Sequence, residues 1–400
     1  MLEIGNSSSC TGCAACYNIC PVQAVTMCSD EEGFLRPLID TTSCINCGKC
    51  EKVCPILYPT ITPESIKDAY ACYALDENIR QSSSSGGVFT LLAQEVIRRK
   101  GVVFGAMFAE DFSVIHSWTD TEDGIKQFQG SKYVQSCIDN TFSECKKFLE
   151  DDRWVLFTGT PCQIGGLVKY LNKKYEKLLC VDIICHGVPS PLLWQKYRYE
   201  MIQKFKSNIQ RTSFRSKKYG WKMYSVLFKF MNNAEYTQKL TKDSYMQLFL
   251  NDVCLRNSCY ECNFKSIDRH SDITIADFWG IENVYPEMFD DKGTSFVICH
   301  TEKGKEFFNI LQKIERKAVN VNDGIKYNLA MIQSAHRPKE RNLFVKFINY
   351  CTINELSKKL IKIDMKKRVK SYIYKLLKVF IGDKGIQSIR KLLKNKEKYT

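Results

Sequence analysis

Eight of the cysteines within the first 54 residues fall into one spacing used twice. Cys10-x2-Cys13-x2-Cys16-x3-Cys20-Pro21 is repeated as Cys44-x2-Cys47-x2-Cys50-x3-Cys54-Pro55, each residue displaced by 34. Three thiolates this close in sequence suit three corners of one iron–sulfur cube, while the fourth cysteine of each run reaches the other cube. The spacing predicts one [4Fe–4S] cluster on Cys10, Cys13, Cys16 and Cys54, and a second on Cys44, Cys47, Cys50 and Cys20. The small residues Gly12, Ala14, Ala15 and Gly48 let backbone N–H groups approach the sulfurs and tune their potential. Zinc is the alternative, because four-cysteine zinc sites also use CxxC; two complete x2-x2-x3-Pro runs favour iron.

The rest of the composition agrees with a metal-rich protein of a reducing compartment. The chain has 20 cysteines in 400 residues, and its start, MLEIGNSSSC, lacks the charged and apolar regions of a secretory signal. No apolar run of 18 residues offers a membrane span. A cytoplasmic location is therefore expected, where structural disulfides are disfavoured. With 44% apolar and 26% charged residues the chain is globular rather than disordered. Its net charge of +14 is concentrated in residues 356–400, which hold 15 Lys/Arg against 3 Asp/Glu. The remaining body carries almost no net charge and offers no basic groove, so nucleic-acid binding is not expected.

Residues 1–57 resemble a complete two-cluster ferredoxin, a module that passes single electrons and has no substrate chemistry of its own. A first domain over 1–60 is expected. Beyond the Pro-marked stretch 58–65, strand and helix patterns alternate to about residue 200. Strands are predicted at Tyr70–Leu75, Val102–Ala109, Trp154–Thr158 and Leu178–Cys185, and helices over 88–100, 139–150, 164–174 and 192–206. This alternation argues for an α/β layer with its ligand beyond the carboxyl ends of the strands. From 208 to 300 the pattern changes to shorter strands and loops.

Three loops sit where an α/β layer keeps its chemistry. Ser82–Gly87 places hydroxyls and flexible backbone before a helix, where free N–H groups and the helix dipole attract an anion such as a flavin pyrophosphate. A plain helix cap is the equal alternative. Gly130-Ser131-Lys132-Tyr133 supplies a cation and an aromatic, and Gly159-Thr160-Pro161-Cys162-Gln163 opens another helix. None carries GxGxxG, so an ordinary nicotinamide site is not supported.

A second metal constellation is Cys254-x4-Cys259-x2-Cys262, compatible with an iron–sulfur centre or with zinc. Candidates for a further ligand are Cys185, Cys162 and Cys299. Cys180 and Cys299 lie in apolar strands and read as small buried residues, whereas Cys185 ends its strand and precedes His186-Gly187-Val188-Pro189.

Taken in order, Gly159–Gln163, Asp182-Ile183-Ile184-Cys185-His186-Gly187-Val188-Pro189-Ser190-Pro191, Cys254–Cys262 and Ala276-Asp277-Phe278-Trp279-Gly280 resemble the coenzyme F420 hydrogenase/dehydrogenase beta-subunit family, in its bacterial form with a fused ferredoxin. The resemblance spans about residues 5–320. It implies a multidomain α+β/α/β protein, a bacterial-type 2[4Fe–4S] ferredoxin domain fused to an α/β flavoprotein domain (61–150 and 151–325); the residue pattern adds a basic helical tail (326–400). It also implies FAD, with contacts on Ser84, Ser85, Gly86, Gly87, Lys132, Gly159, Thr160, Pro161 and Gln163. A third cluster is implied on Cys185, Cys259 and Cys262 with Cys254 or Cys162, of which Cys254, in the same loop, is preferred.

The function this implies is an oxidoreductase moving electrons between clusters, FAD and an organic hydride-type acceptor or donor, through a redox partner protein or a small molecule. A flavin converts between the single electrons of clusters and the pairs of hydride chemistry. His186 is a weak candidate for a proton donor and a stronger one for orienting its loop. The alternative is an electron-delivery subunit serving a separate catalytic partner, for instance in surface polysaccharide biosynthesis. In the tail, Val369, Tyr372, Ile373, Leu376, Leu377 and Phe380 recur at helical spacing among lysines. Such a basic amphipathic helix reads either as a peripheral membrane contact or as a helix docked on protein.

Overall fold

A computed structural model describes residues 8–59 and 66–361. Thirteen strands occur among these residues. β1 (Val25–Ser29) and β2 (Leu35–Ile39) form an antiparallel hairpin within the cysteine-rich segment. β3 (Asp68–Ala74), β4 (Val102–Phe108), β5 (Val114–Thr119), β6 (Val155–Gly159), β7 (Leu178–Ile183), β11 (Ile273–Asp277), β12 (Ser295–Cys299) and β13 (Ile314–Val319) build one sheet. Its order is β13-β3-β12-β11-β7-β6-β4-β5. β8 (Ile209–Ser216), β9 (Ser225–Phe230) and β10 (Glu235–Lys239) make a separate antiparallel sheet.

The centre of the large sheet, β11-β7-β6-β4, is parallel, and antiparallel strands flank it on both sides. Sequence explains the division. The middle strands are apolar runs such as Val155-Leu156-Phe157 and Leu178-Leu179-Cys180-Val181, buried on both faces as parallel strands are. The expected elements are found with small shifts at their ends. The turn after β6 starts its helix, Pro161–Leu171, earlier than periodicity suggests, because Pro161 occupies the first turn and Gln163 Oε1 accepts from Thr160 N–H at 2.9 Å. Ser190 likewise caps the helix Pro191–Phe205 through Leu193 N–H.

Two features change the picture of the boundaries. Among the described residues, the ferredoxin segment shares its core with the body. Cys10, Cys13, Ala15, Cys16, Val25, Val53 and Cys54 belong to one buried cluster with Phe104, Phe142, Phe157, Ile164 and Leu167 of the large sheet and its helices. The second change concerns the tail. Residues 326–357 belong to the same compact unit as the sheets, which runs to Ser357. Met331, Phe344 and Ile348 are buried, and Arg341 pairs with Glu32 at 2.7 Å. Apolar anchors spaced along 326–357 fold it onto the body. The basic amphipathic pattern over 366–393 lies outside the described residues. No helix among the described residues is long and apolar enough to cross a membrane.

Candidate functional site

The eight ferredoxin-type cysteines lie in two groups. Cys10, Cys13, Cys16 and Cys54 are between 7% and 9% exposed, and both Cys13 and Cys16 feel the charge of Cys10 and Cys54. Burial pushes the Cys13 thiol up to about 12, so only a strongly electrophilic metal would hold it as thiolate. The left-handed residues Gly12 (φ 68°) and Ala14 (φ 62°) wrap the loop around these sulfurs. Cys20, Cys44, Cys47 and Cys50 line a second, shallower hollow with Val22, Ile39 and Ile45. Here Cys47 is exposed, and Ala24 N–H donates to Cys20 Sγ at 3.2 Å.

A third set forms in the body. Cys162, Cys185, Cys259 and Cys262 line one cavity together with Thr11, Arg256, Lys265 and Arg269. The three cations surround four thiols, and burial, with a smaller part from mutual repulsion, raises the Cys162, Cys185 and Cys259 values. Cys254 is not in this group. It lies in the buried interior beside Glu32, Asp252 and Arg341, and its carbonyl accepts from Ser190 N–H. The preferred Cys254 therefore does not line this cavity, whereas Cys162, the other candidate, does: nearness in sequence does not decide which thiol joins Cys185, Cys259 and Cys262. Cys299 is buried in the sheet core with Cys72 and supplies nothing to the site.

Across all three sets, no group of three or more His, Cys, Asp or Glu side chains among the described residues converges on a single ion. None of the 20 cysteines is in a disulfide.

Beyond the third set opens a cavity of about 580 Å³, at the carboxyl ends of β4, β6, β7 and β11. The three loops singled out by sequence meet there: Ser83, Ser84, Ser85 and Gly87; Gly130 to Tyr133; and Gly159, Thr160, Cys162 and Gln163. Two expected contacts do not line it. Gly86 lies beneath its loop, where a Cβ would come within 2.5 Å of the Cys72 carbonyl, so its small size serves packing. Pro161 faces the four-cysteine cavity instead.

The polar groups of this cavity are partly committed to the fold. Ser84 Oγ accepts from Ser131 N–H (2.7 Å) and Oγ–H (2.9 Å), and Ser85 Oγ–H donates to the Thr294 carbonyl. What the loop presents to a ligand is chiefly the opening N–H groups of the helix Val88–Arg98, which no intrahelical carbonyl reaches. Lys132 Nζ donates to the Gln127 and Gln129 carbonyls, two of its three hydrogens, and burial pulls its value down to about 7. His116 is held neutral: burial lowers it to about 4 while it bonds Ser136 Oγ and the Thr158 carbonyl. Gln163 Nε2 donates to the same Ser136 hydroxyl.

Sequence reading missed part of the wall. Arg215 from β8 makes a bidentate pair with Asp277 (2.8 and 2.9 Å), donates to the Tyr133 hydroxyl and Ser84 carbonyl, and leaves its buried Nε without a partner. Trp279 stacks on Trp221 at 4.9 Å, and Phe249, Ile275 and Val134 add apolar surface. A charged residue inside the alternating strand β8 was the available signal for Arg215. His186 Nε2 lies 2.6 Å from Asp252 Oδ1 and edge-on to Phe249. His186, Gly187 and Val188, with Cys162 and Cys185, line both this cavity and the cysteine cavity.

Sulfur sites in series beside one large cavity define an iron–sulfur electron-transfer protein. Residues 9–56 match a 4Fe-4S dicluster domain, and residues 152–323 match the family described as the C terminus of the coenzyme F420 hydrogenase/dehydrogenase beta subunit. The chain thus resembles a beta-subunit-like protein of that family with an N-terminal ferredoxin domain. Among solved structures it is similar to a chain of the F420-reducing [NiFe] hydrogenase complex from Methanosarcina barkeri, at 14% identity and a TM-score of 0.44. That similarity covers 75% of this chain and 94% of the other. No curated protein matches it.

Proposed function

We propose that this chain is an iron–sulfur flavoprotein oxidoreductase, with a third cluster on Cys162, Cys185, Cys259 and Cys262 and FAD in the large cavity. One observation carries the reading: Cys162, Cys185 and the His186–Val188 segment form the wall shared by the cysteine cavity and the large cavity. Clusters supply single-electron steps, and a flavin, when bound, pairs them for hydride chemistry.

The chain's own residues fit this division of labour. The helix N-terminus at Gly87–Phe89 and the remaining donor of Lys132 suit a pyrophosphate. Arg215 Nε, unpartnered and buried, suits a carbonyl or ring nitrogen. Phe249, Ile275 and Trp279 suit a flat ring. Asp252 orients His186, which holds a proton at the shared wall. Ile183, Leu250 and Leu329 are exposed at the cavity's rim, so the cavity is open to an organic acceptor. This openness favours a substrate-using enzyme over a pure electron-delivery subunit.

The test is anaerobic purification of the full chain with iron, sulfide and flavin quantified, followed by spectral titration with reduced deazaflavin, NAD(P)H and reduced ferredoxin. The expected result is iron above the eight atoms of two cubes, one FAD, and reduction of all centres by at least one donor. Eight irons and no flavin would sink the reading.

A further inference from the structure

We propose that Arg256 is a cationic bridge between the inner ferredoxin cluster and the four-cysteine centre of the body, raising the potentials of both. The part concerning the body's centre rests on the proposed function above.

Five arginines are buried among the described residues: Arg80, Arg215, Arg256, Arg269 and Arg341. Four of them face carboxylates, namely Asp290, Asp277, Asp182 and Glu32. Arg256, 1% exposed, does not. Its Nε donates to the Cys10 carbonyl (2.8 Å), Nη1 to Gln135 Oε1 (2.9 Å), and Nη2 to the Leu35 carbonyl (2.9 Å) and to Cys10 Sγ (3.7 Å). A buried guanidinium surrounded only by neutral acceptors is costly. Its counter-charge is supplied by thiolates on both sides.

The backbone around it secures this position. Arg256 N–H donates to the Val188 carbonyl, and its own carbonyl accepts from Cys259 N–H. The side chain therefore leaves the very loop that carries Cys259 and ends on Cys10, while also lining the cavity of Cys162, Cys185, Cys259 and Cys262. Gly12 leaves the room: a Cβ there would lie 2.9 Å from Arg256 Nη1 and from the Leu35 carbonyl. Cys20, Cys44, Cys47 and Cys50 have no contact with Arg256 among the described residues. A fixed positive charge in a water-poor site stabilises the more negative, reduced state of a neighbouring cluster, and so raises its potential.

The test is potentiometric titration of the full-length, anaerobically purified protein followed by EPR, with Cys47→Ala used to assign the outer cluster. Arg256→Gln is expected to lower the midpoints of the inner cluster and of the body's centre, with the outer cluster unmoved. Arg256→Lys restores most of the shift. Gln135→Glu sets a carboxylate against Nη1 without removing the guanidinium, and is expected to lower the same two midpoints. Unchanged midpoints in fully loaded Arg256→Gln and Gln135→Glu proteins, or equal shifts of all clusters, would overturn the proposal. If Arg256→Gln loses iron on purification, Gln135→Glu decides alone. A wild-type chain holding only eight irons would instead refute the body's centre, leaving Arg256 to be judged on the inner cluster's midpoint.

Discussion

The two ferredoxin cysteine sets come from one motif used twice, yet they sit in opposite surroundings. The inner set, Cys10, Cys13, Cys16 and Cys54, is embedded in the core shared with Phe142, Phe157, Ile164 and Leu167. The outer set, Cys20, Cys44, Cys47 and Cys50, lies in a hollow flanked by the exposed apolar residues Val22 and Ile45. Identical ligand spacing therefore specifies a cube but not its role. Solvent access and hydrogen bonding set a cluster's potential, so the two sites are expected to differ in potential. Beside the inner set lies Arg256, which also lines the cavity of the body's four cysteines.

Removing one ligand from each set gives the largest contrast. Cys16→Ala should lose the inner cube and, because Cys16 belongs to the shared core, lower the melting temperature by roughly 5–10 °C. Cys47→Ala should lose the outer cube with a shift of about 2 °C or less. Iron content and thermal unfolding measured together check both, and equal shifts would erase the distinction. The anchor of the ferredoxin hairpin comes next. Arg341→Met leaves Glu32 buried without its 2.7 Å partner, and should destabilise the protein by about 3–5 kcal/mol in denaturant titration.

Acid should also distinguish the regions. His116 has a value lowered by burial to about 4 against 6.5 unfolded. The unfolded state therefore takes up a proton first, and stability is lost as pH falls from about 6.5 to 4, by on the order of 3 kcal/mol. Asp40, exposed beside the outer set, is lowered to about 2 by the hydroxyls of Ser43 and Thr42. Its contribution is present above about pH 4 and lost only as pH falls towards 2. Denaturant titrations between pH 7 and 4 should show a decline that is reduced in His116→Gln and unaffected by Asp40→Asn. The smallest effect is expected for Gly166→Ala. Its new methyl would lie 3.0 Å from Cys13 Cβ and Sγ, and should cost about 1–2 kcal/mol net of the improved helix propensity. The change should perturb the inner cluster's EPR signal and leave the outer one intact.

Much of this organisation is legible along the chain because it is local. Cysteine spacing pointed to the dicluster domain that residues 9–56 match, since a loop of three ligands and a returning fourth is a short-range geometric requirement. Apolar runs located β4, β6 and β7, and the turns after β6 and β7 carry part of the cavity's wall. The loss of legibility begins where partners are distant in sequence. Cys254 and Cys162 both fit a fourth ligand by residue type, and only the path of the loop after Val253 distinguishes them. Arg215 and Asp277 are 62 residues apart, and each is ordinary until a second sheet brings them together. The segment 326–357 read as the start of a charged tail, but Met331, Phe344 and Ile348 are spaced too irregularly to declare a buried face before the surface that receives them exists.

By itself, then, the chain's sequence determined the chemistry of its sulfur ligands, the alternation of strands and helices, and the loops that close the strand ends. These depend on spacing and on periodicities of a few residues. Only the tertiary structure decided which cysteine set is embedded and which lies near the surface, which cysteine lines the body's cavity with Cys185, Cys259 and Cys262, and that Arg256 lies between that cavity and Cys10. Each of those outcomes depends on burial and on charges separated by tens to hundreds of residues, quantities that exist only once the chain has folded back on itself.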